Sequence, residues 1–171
     1  METLAVPLQT PITFCIFNRP ELTRAVFDRI ALQRPRQLLI VADGARSDVA
    51  GEAEQVSATR EIVSQIDWDC QLHTNFADVN LGCRRRMSTG ITWALQKVER
   101  TIILEDDCLP DASFFPFCEQ LLERYANDDQ VGMISGDNFQ PQSDSNFARS
   151  SESNDSYYSV SYTHLTLPTK A

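Results

Sequence analysis

The chain has 171 residues, 42 % of them hydrophobic and 23 % charged, with a formal net charge of −9. That length suits one domain with a sizeable core, and the composition is that of a soluble globular protein. The acidic balance argues against nucleic acid or an anionic membrane surface as partner. No apolar run approaches the ~20 residues of a membrane span, and Met1-Glu2-Thr3-Leu4 lacks the basic flank of a signal peptide, so the expectation is a cytoplasmic protein without a transmembrane segment. Cys15, Cys70, Cys83, Cys108 and Cys118 are odd in number and contain no Cys-x-x-Cys pair. Buried thiols are expected, not a disulfide framework or a zinc site.

Residues 11–17 form a continuous apolar run, the first strand. Asn18-Arg19-Pro20-Glu21 ends it and opens a helix, with Asn18 placed to cap, Pro20 in the first turn and Glu21 as in a capping box. Leu22, Ala25, Val26 and Ile30 mark its apolar face. Gln37 to Ala42 reads as a second buried strand closed by Asp43-Gly44, and a helix capped by Ser47 or Asp48 follows, carrying Val49, Ala53, Val56, Val63 and Ile66. Residues 69–75 make a weaker third strand. After the Asn80-Leu81-Gly82 turn, Met87, Gly90, Ile91, Ala94, Leu95 and Val98 stripe the next helix.

The fourth strand, Thr101-Ile102-Ile103-Leu104, runs into Glu105-Asp106-Asp107. Another helix then carries Phe114, Phe115, Cys118, Leu121, Leu122 and Tyr125, with Pro116 tolerated in its first turn. Residues 131–135 form a fifth strand ending at Gly136-Asp137-Asn138. Strands alternating with helices imply an α/β fold, a mostly parallel sheet with right-handed crossovers and flanking helices. Residues 140–159 are polar and read as flexible or unfinished. Val160 to Thr169 looks like one reading frame of a transposase-type sequencing adapter, so residues 160–171 are expected to lie outside the fold, with the gene product cut near Ser159.

The acidic triplet is the strongest chemical signal. Carboxylates at a strand's carboxyl end face the crevice where open α/β sheets bind ligands. Two unit charges ~4 Å apart repel by about 4 kcal/mol at the effective dielectric of a protein surface, so a cation or donors should share the site. A hard divalent ion, magnesium or manganese, suits the oxygen ligands and can bridge to a diphosphate. A solvated acidic turn is the plain alternative.

Glu105-Asp106-Asp107 followed by Cys-Leu-Pro-Asp-Ala-Ser-Phe-Phe resembles the metal-binding motif of nucleotide-sugar glycosyltransferases with the GT-A fold. The similarity is to Golgi N-acetylglucosaminyltransferases and to bacterial family 2-like enzymes, and it covers roughly residues 11–139. It implies a Rossmann-like, nucleotide-sugar-binding half over residues 1–139, a nucleotide-sugar donor (a UDP-sugar), an unidentified carbohydrate, lipid or protein acceptor, and transfer with inversion. It assigns Asp107 to metal (Mn2+ or Mg2+) and Glu105 and Asp106 to ribose, donor sugar or the metal's waters. Arg19 would meet the nucleotide or its diphosphate, Asp43 the uracil imide, and one arginine of the Arg84-Arg85-Arg86 run, taken as Arg84, the diphosphate. Trp93-Ala94-Leu95 is retained, but the histidine that relatives carry before it is absent. Asp137 would border the sugar. The base that activates the acceptor hydroxyl would come from a following half absent from this chain, which is therefore expected to bind donor poorly and to be inactive as a transferase. Neither His73 nor His164 is a catalytic candidate.

Two other classes remain. A sugar nucleotidyltransferase would want a glycine-rich phosphate loop where Phe17-Asn18-Arg19-Pro20 stands. A non-catalytic α/β interaction module would keep the sheet without a working site. An aspartyl-nucleophile phosphohydrolase fails on spacing, because position 108 is cysteine where Asp-x-Asp needs an acid.

Overall fold

A computed structural model of the chain describes residues 7–136 and 164–166. The elements are β1 (Ile12–Ile16), α1 (Pro20–Gln33), β2 (Gln37–Ala42), α2 (Glu52–Ile62), β3 (Gln71–Phe76), α3 (Cys83–Leu95), β4 (Thr101–Glu105), α4 (Phe114–Arg124), β5 (Met133–Ser135) and β6 (His164–Thr166). They build one sheet in the order β3-β2-β1-β4-β6-β5. The first four strands are mutually parallel, whereas β6 runs antiparallel to both β4 and β5. This is the Rossmann-like α/β arrangement that the alternation of strands and helices implies.

β6 falls within the stretch expected to lie outside the fold. Its backbone pairs with Thr101–Ile103 of β4 and with Met133–Ser135 of β5. Ladder pairing engages only backbone groups, so it carries no information about where those residues come from. Asp137 and the polar stretch 140–159 lie outside the described residues.

β1 is buried at every position, as is β2 from Leu38 onward and β4 from Thr101 to Leu104. Successive strand side chains alternate between faces, and the two faces are filled differently. Ile12, Phe14, Ile16, Leu38, Ile40, Ile102 and Leu104 pack with Val26, Phe27 and Ile30 of α1, Ile62 of α2, and Phe115, Cys118 and Leu122 of α4. On the other face Cys15, Val41 and Ile103 meet Met87, Ile91 and Trp93 of α3. There Thr13 and Thr101 share a buried hydroxyl hydrogen bond of 2.9 Å, which satisfies two polar groups that the core would otherwise penalise.

Three local expectations are corrected. α1 buries Thr23, Val26, Phe27 and Ile30, while Leu22 is 45 % exposed: the bulk of Phe27, tilted against Trp68 with ring centroids 6.0 Å apart, sets the helix phase. Asn18 does not cap α1. Arg19 occupies that position without a side-chain cap, and the Asn18 amide donates to Glu52 Oε1 at 2.8 Å. α2 starts at Glu52, after Gly51 in a left-handed conformation (φ 78°), so neither Ser47 nor Asp48 caps it and Val49 is exposed.

α3 lies against the sheet through Gly90. A Cβ at that position would overlap the side chain of Val41 in β2, which is itself buried. In an ordinary helix interior, Gly to Ala stabilises by about 1 kcal/mol. Here the sign reverses, because the added methyl forces α3 away from its packed strand. Gly90→Ala is expected to destabilise the chain by about 1–3 kcal/mol, the usual range for overpacking, read from the urea midpoint at unchanged m.

Candidate functional site

The acidic triplet ends β4 in a turn closed by the Cys108 N–H donating to the Glu105 carbonyl, 3.1 Å. The turn separates the three carboxylates. Asp106 points inward and is 3 % exposed, whereas the Asp107 side chain is 46 % exposed. Asp106 accepts the Phe17 N–H at 3.2 Å and is ion-paired with Arg19, whose second guanidinium nitrogen donates to Asp107 at 2.8 Å. Arg19 thus bridges the ends of β1 and β4. Burial pushes the Asp106 carboxyl above its ordinary range, against the downward pull of Arg19 and the Phe17 N–H.

At the end of β2, Asp43 is buried and its carboxylate serves the neighbouring loop. It accepts the N–H groups of Gly44 (2.9 Å), Leu81 (2.9 Å) and Gly82 (3.0 Å). The Asn80 amide donates to the Gly44 carbonyl at 2.8 Å, and Arg60 donates to the carbonyls of Asp43 and Ala77. Gly44 admits this closeness, since a Cβ there would lie 2.5 Å from the carbonyl carbon of Val79. The loops after β2 and β3 are braced together before any ligand arrives.

A second pair stands beside them. Glu52, 1 % exposed, accepts from the Arg46 guanidinium at 2.5 Å, from the Arg46 N–H at 2.7 Å and from Asn18. These donors, Arg46's side chain first, hold its carboxyl down at about 2. Sequence reading passes over Glu52, because an acid in a helix's first turn is normally read as solvent-facing and favourable to the dipole.

Of the three arginines opening α3, Arg84 and Arg85 are exposed and Arg86 is buried at 6 % exposure. Arg86 donates to the carbonyl and to the side-chain oxygen of Asn75, and its Nε has no hydrogen-bond partner. Burial lowers its basicity while the charge of Asp43 pulls the other way, and a guanidinium remains cationic at neutral pH.

These groups meet in a cleft of about 280 Å³ at the carboxyl ends of β1, β2 and β4, lined by Arg19, Asp43, Arg46, Arg86, Glu105 and Asp106 among others. It sits where the strand order reverses between β1 and β4, the position at which open α/β sheets take ligands. Four of the residues expected to bind a donor, Arg19, Asp43, Glu105 and Asp106, line it. Arg84 does not; it borders a separate shallow groove with Arg85 and Ser88. Asp107 stands outside the lining and is tied to it through Arg19. Cys15 also lines the cleft, and burial together with the charge of Glu105 pushes its thiol up to about 12, so it is no nucleophile near neutrality.

Among the described residues no three His, Cys, Asp or Glu side chains gather into a metal cage. A magnesium or manganese ion arriving with a diphosphate needs only one or two protein carboxylates. Asp107, half exposed and all-oxygen, fits that smaller demand. No described helix is long and apolar enough to cross a membrane.

No protein-family model matches the chain, and no curated protein matches its sequence.

The Glu52 brace carries a pH signature. A carboxyl whose folded value lies at about 2, against 4.5 ordinarily, adds stability that is complete above the unfolded value and is lost as pH falls through the folded one. Acid titration of stability is therefore expected to lose about one proton's slope between those two values in Glu52→Gln, measured by urea unfolding at stepped pH.

Proposed function

We propose that this chain is the donor-binding half of a metal-dependent glycosyltransferase, acting on a nucleoside-diphosphate sugar, a UDP-sugar, and an acceptor hydroxyl with inversion. One observation carries the reading. A single crevice at the sheet's switch point is lined by a buried guanidinium, Arg86, with no carboxylate hydrogen-bonded to it, and by Asp106, whose partner Arg19 also holds Asp107 outside the lining. A ligand that is anionic along one side and carries a divalent ion on the other satisfies both. A metal-bearing diphosphate is such a ligand.

In this reading Arg86 and the N–H groups opening α3 receive diphosphate oxygens, with the helix's positive end contributing. Asp107 gives an oxygen ligand to the ion, and Asp106 stays in place as the anchor of Arg19. Asp43 already accepts three N–H groups, leaving about one of a carboxylate's four lone-pair sites for a uracil imide. The bound ion supplies Lewis-acid stabilisation of the departing diphosphate. The residues named hold the donor and fix its diphosphate.

The commitment of Asp43 to backbone donors also favours a second reading, a non-catalytic module that keeps the brace. Calorimetry separates the two. UDP is expected to bind the full chain in the presence of manganese, with affinity falling at least about tenfold, or 1.4 kcal/mol, in Asp107→Ala; absence of UDP binding with manganese would leave the module.

The two arginines make a sharper contrast. Loss of a charge-assisted hydrogen bond costs about 1.5–3 kcal/mol. Arg86→Met is expected to weaken UDP binding by roughly that amount while uridine binding is little changed, and Arg84→Met to leave both within about twofold. Equal losses for uridine and UDP in Arg86→Met would remove the diphosphate from that wall.

A further inference from the structure

The position of Arg19 has a consequence for how such a ligand and its ion enter. One guanidinium nitrogen is paired with buried Asp106 and the other with exposed Asp107, at 2.8 Å. The two contacts differ in strength. The Arg19 and Asp107 side chains are 43 % and 46 % exposed, and a pair so solvated contributes at most about 1 kcal/mol. The contact to Asp106, only 3 % exposed and further fixed by the Phe17 N–H, is the harder one to break. Arg19 therefore has a firm pivot and a loose arm, and the loose arm holds Oδ2 of the carboxylate that the donor-site reading gives to the metal.

On the strength of that reading, we propose that Arg19 is an internal counter-ion that stands in for the divalent cation until an anionic ligand draws it away. The guanidinium keeps Asp107 from holding metal alone. An entering diphosphate, already attracted by the guanidinium of Arg86, which lines the same cleft, competes for the loose arm of Arg19. The arm then turns from Asp107 to a phosphate oxygen, and the exposed carboxylate takes the cation. Charge is exchanged between three partners, and no covalent bond changes. Ion and diphosphate consequently bind with positive coupling, each weak without the other, as linkage requires.

The test uses the full chain and two probes, manganese followed by the electron paramagnetic resonance of the free ion, and UDP. In the wild type, manganese affinity is expected to rise roughly 5–150-fold when UDP is added. Arg19→Ala should take up manganese without UDP, with the coupling reduced to about twofold or less, and Asp107→Ala added to it should abolish the uptake. Arg19→Lys, which keeps the charge but not the two-armed fork, should retain part of the coupling. The wild-type titration needs no variant, so a poorly folding Arg19→Ala leaves the proposal open to refutation.

Manganese held by the wild type as tightly without UDP as with it would overturn the exchange while leaving the donor site standing. The same follows if folded Arg19→Ala holds no more manganese than the wild type while UDP still binds with the ion. Failure to bind either probe in any combination would overturn both the exchange and the donor-site reading.

Discussion

The site depends on the burial of β1, β2 and β4 on both faces. A strand enclosed in this way tolerates no charge along its length, because an ion left in the core without partners costs several kcal/mol. Charge is confined to the strand ends. Because β1, β2 and β4 are parallel neighbours, their carboxyl ends fall along one margin of the sheet. Arg19, Asp43 and Glu105 with Asp106, which stand far apart in sequence, are neighbours there for that reason. α3 closes the margin from the other face, held to β2 by the contact of Gly90 on Val41.

Charges crowded at one margin must be compensated, and the cleft does so unevenly. Arg19 is shared by the two acids at the end of β4, and Arg46 neutralises Glu52. Asp43 is stabilised by three backbone N–H groups without an ion-pair partner at hydrogen-bonding distance. Arg86 has only the oxygens of Asn75 and the more distant field of Asp43. At an effective dielectric of about 20, a unit charge ~4 Å away changes that balance by about 4 kcal/mol. An anion placed in the cleft would thus gain most at the wall carrying Arg86, and this asymmetry gives the crevice a direction.

Much of the scaffold was legible because core strands announce themselves as apolar runs. Gln37–Ala42 is read with its observed limits, and β1, β3, β4 and β5 fall within about two residues of theirs, whereas β6 lies in a stretch expected to stay outside the fold. The phase of α1 was missed because hydropathy favours Leu22, whereas the space under the sheet is filled by Phe27. Glu52 was missed because its burial depends on Arg46 and Asn18, which meet it only through loop geometry. The choice among Arg84, Arg85 and Arg86 was open to the sequence. Gly90 and Ala94 had been placed on the buried stripe, and residue 86 lies four positions before Gly90, on the same helical face. Reading the acids as metal ligands and the arginines as ligand contacts obscured a simpler relation, that the two sets would first neutralise each other.

Asp43 shows why a structural and a recognition role need not compete. Its carboxylate fixes Leu81 and Gly82, and the Arg86 N–H in turn donates to the Gly82 carbonyl at 2.9 Å. The same acid therefore sets where α3 begins and, through that start, where the buried guanidinium stands. Gly44 completes the brace by allowing the backbone of Val79 to approach more closely than any side chain would permit. Held from two loops at once, the wall carrying Arg86 is formed in advance, so ordering it adds little to the cost of binding. The opposing wall is built differently. Its cation is shared between a buried acid and an exposed one, and only the exposed contact is weak enough for a ligand to exchange.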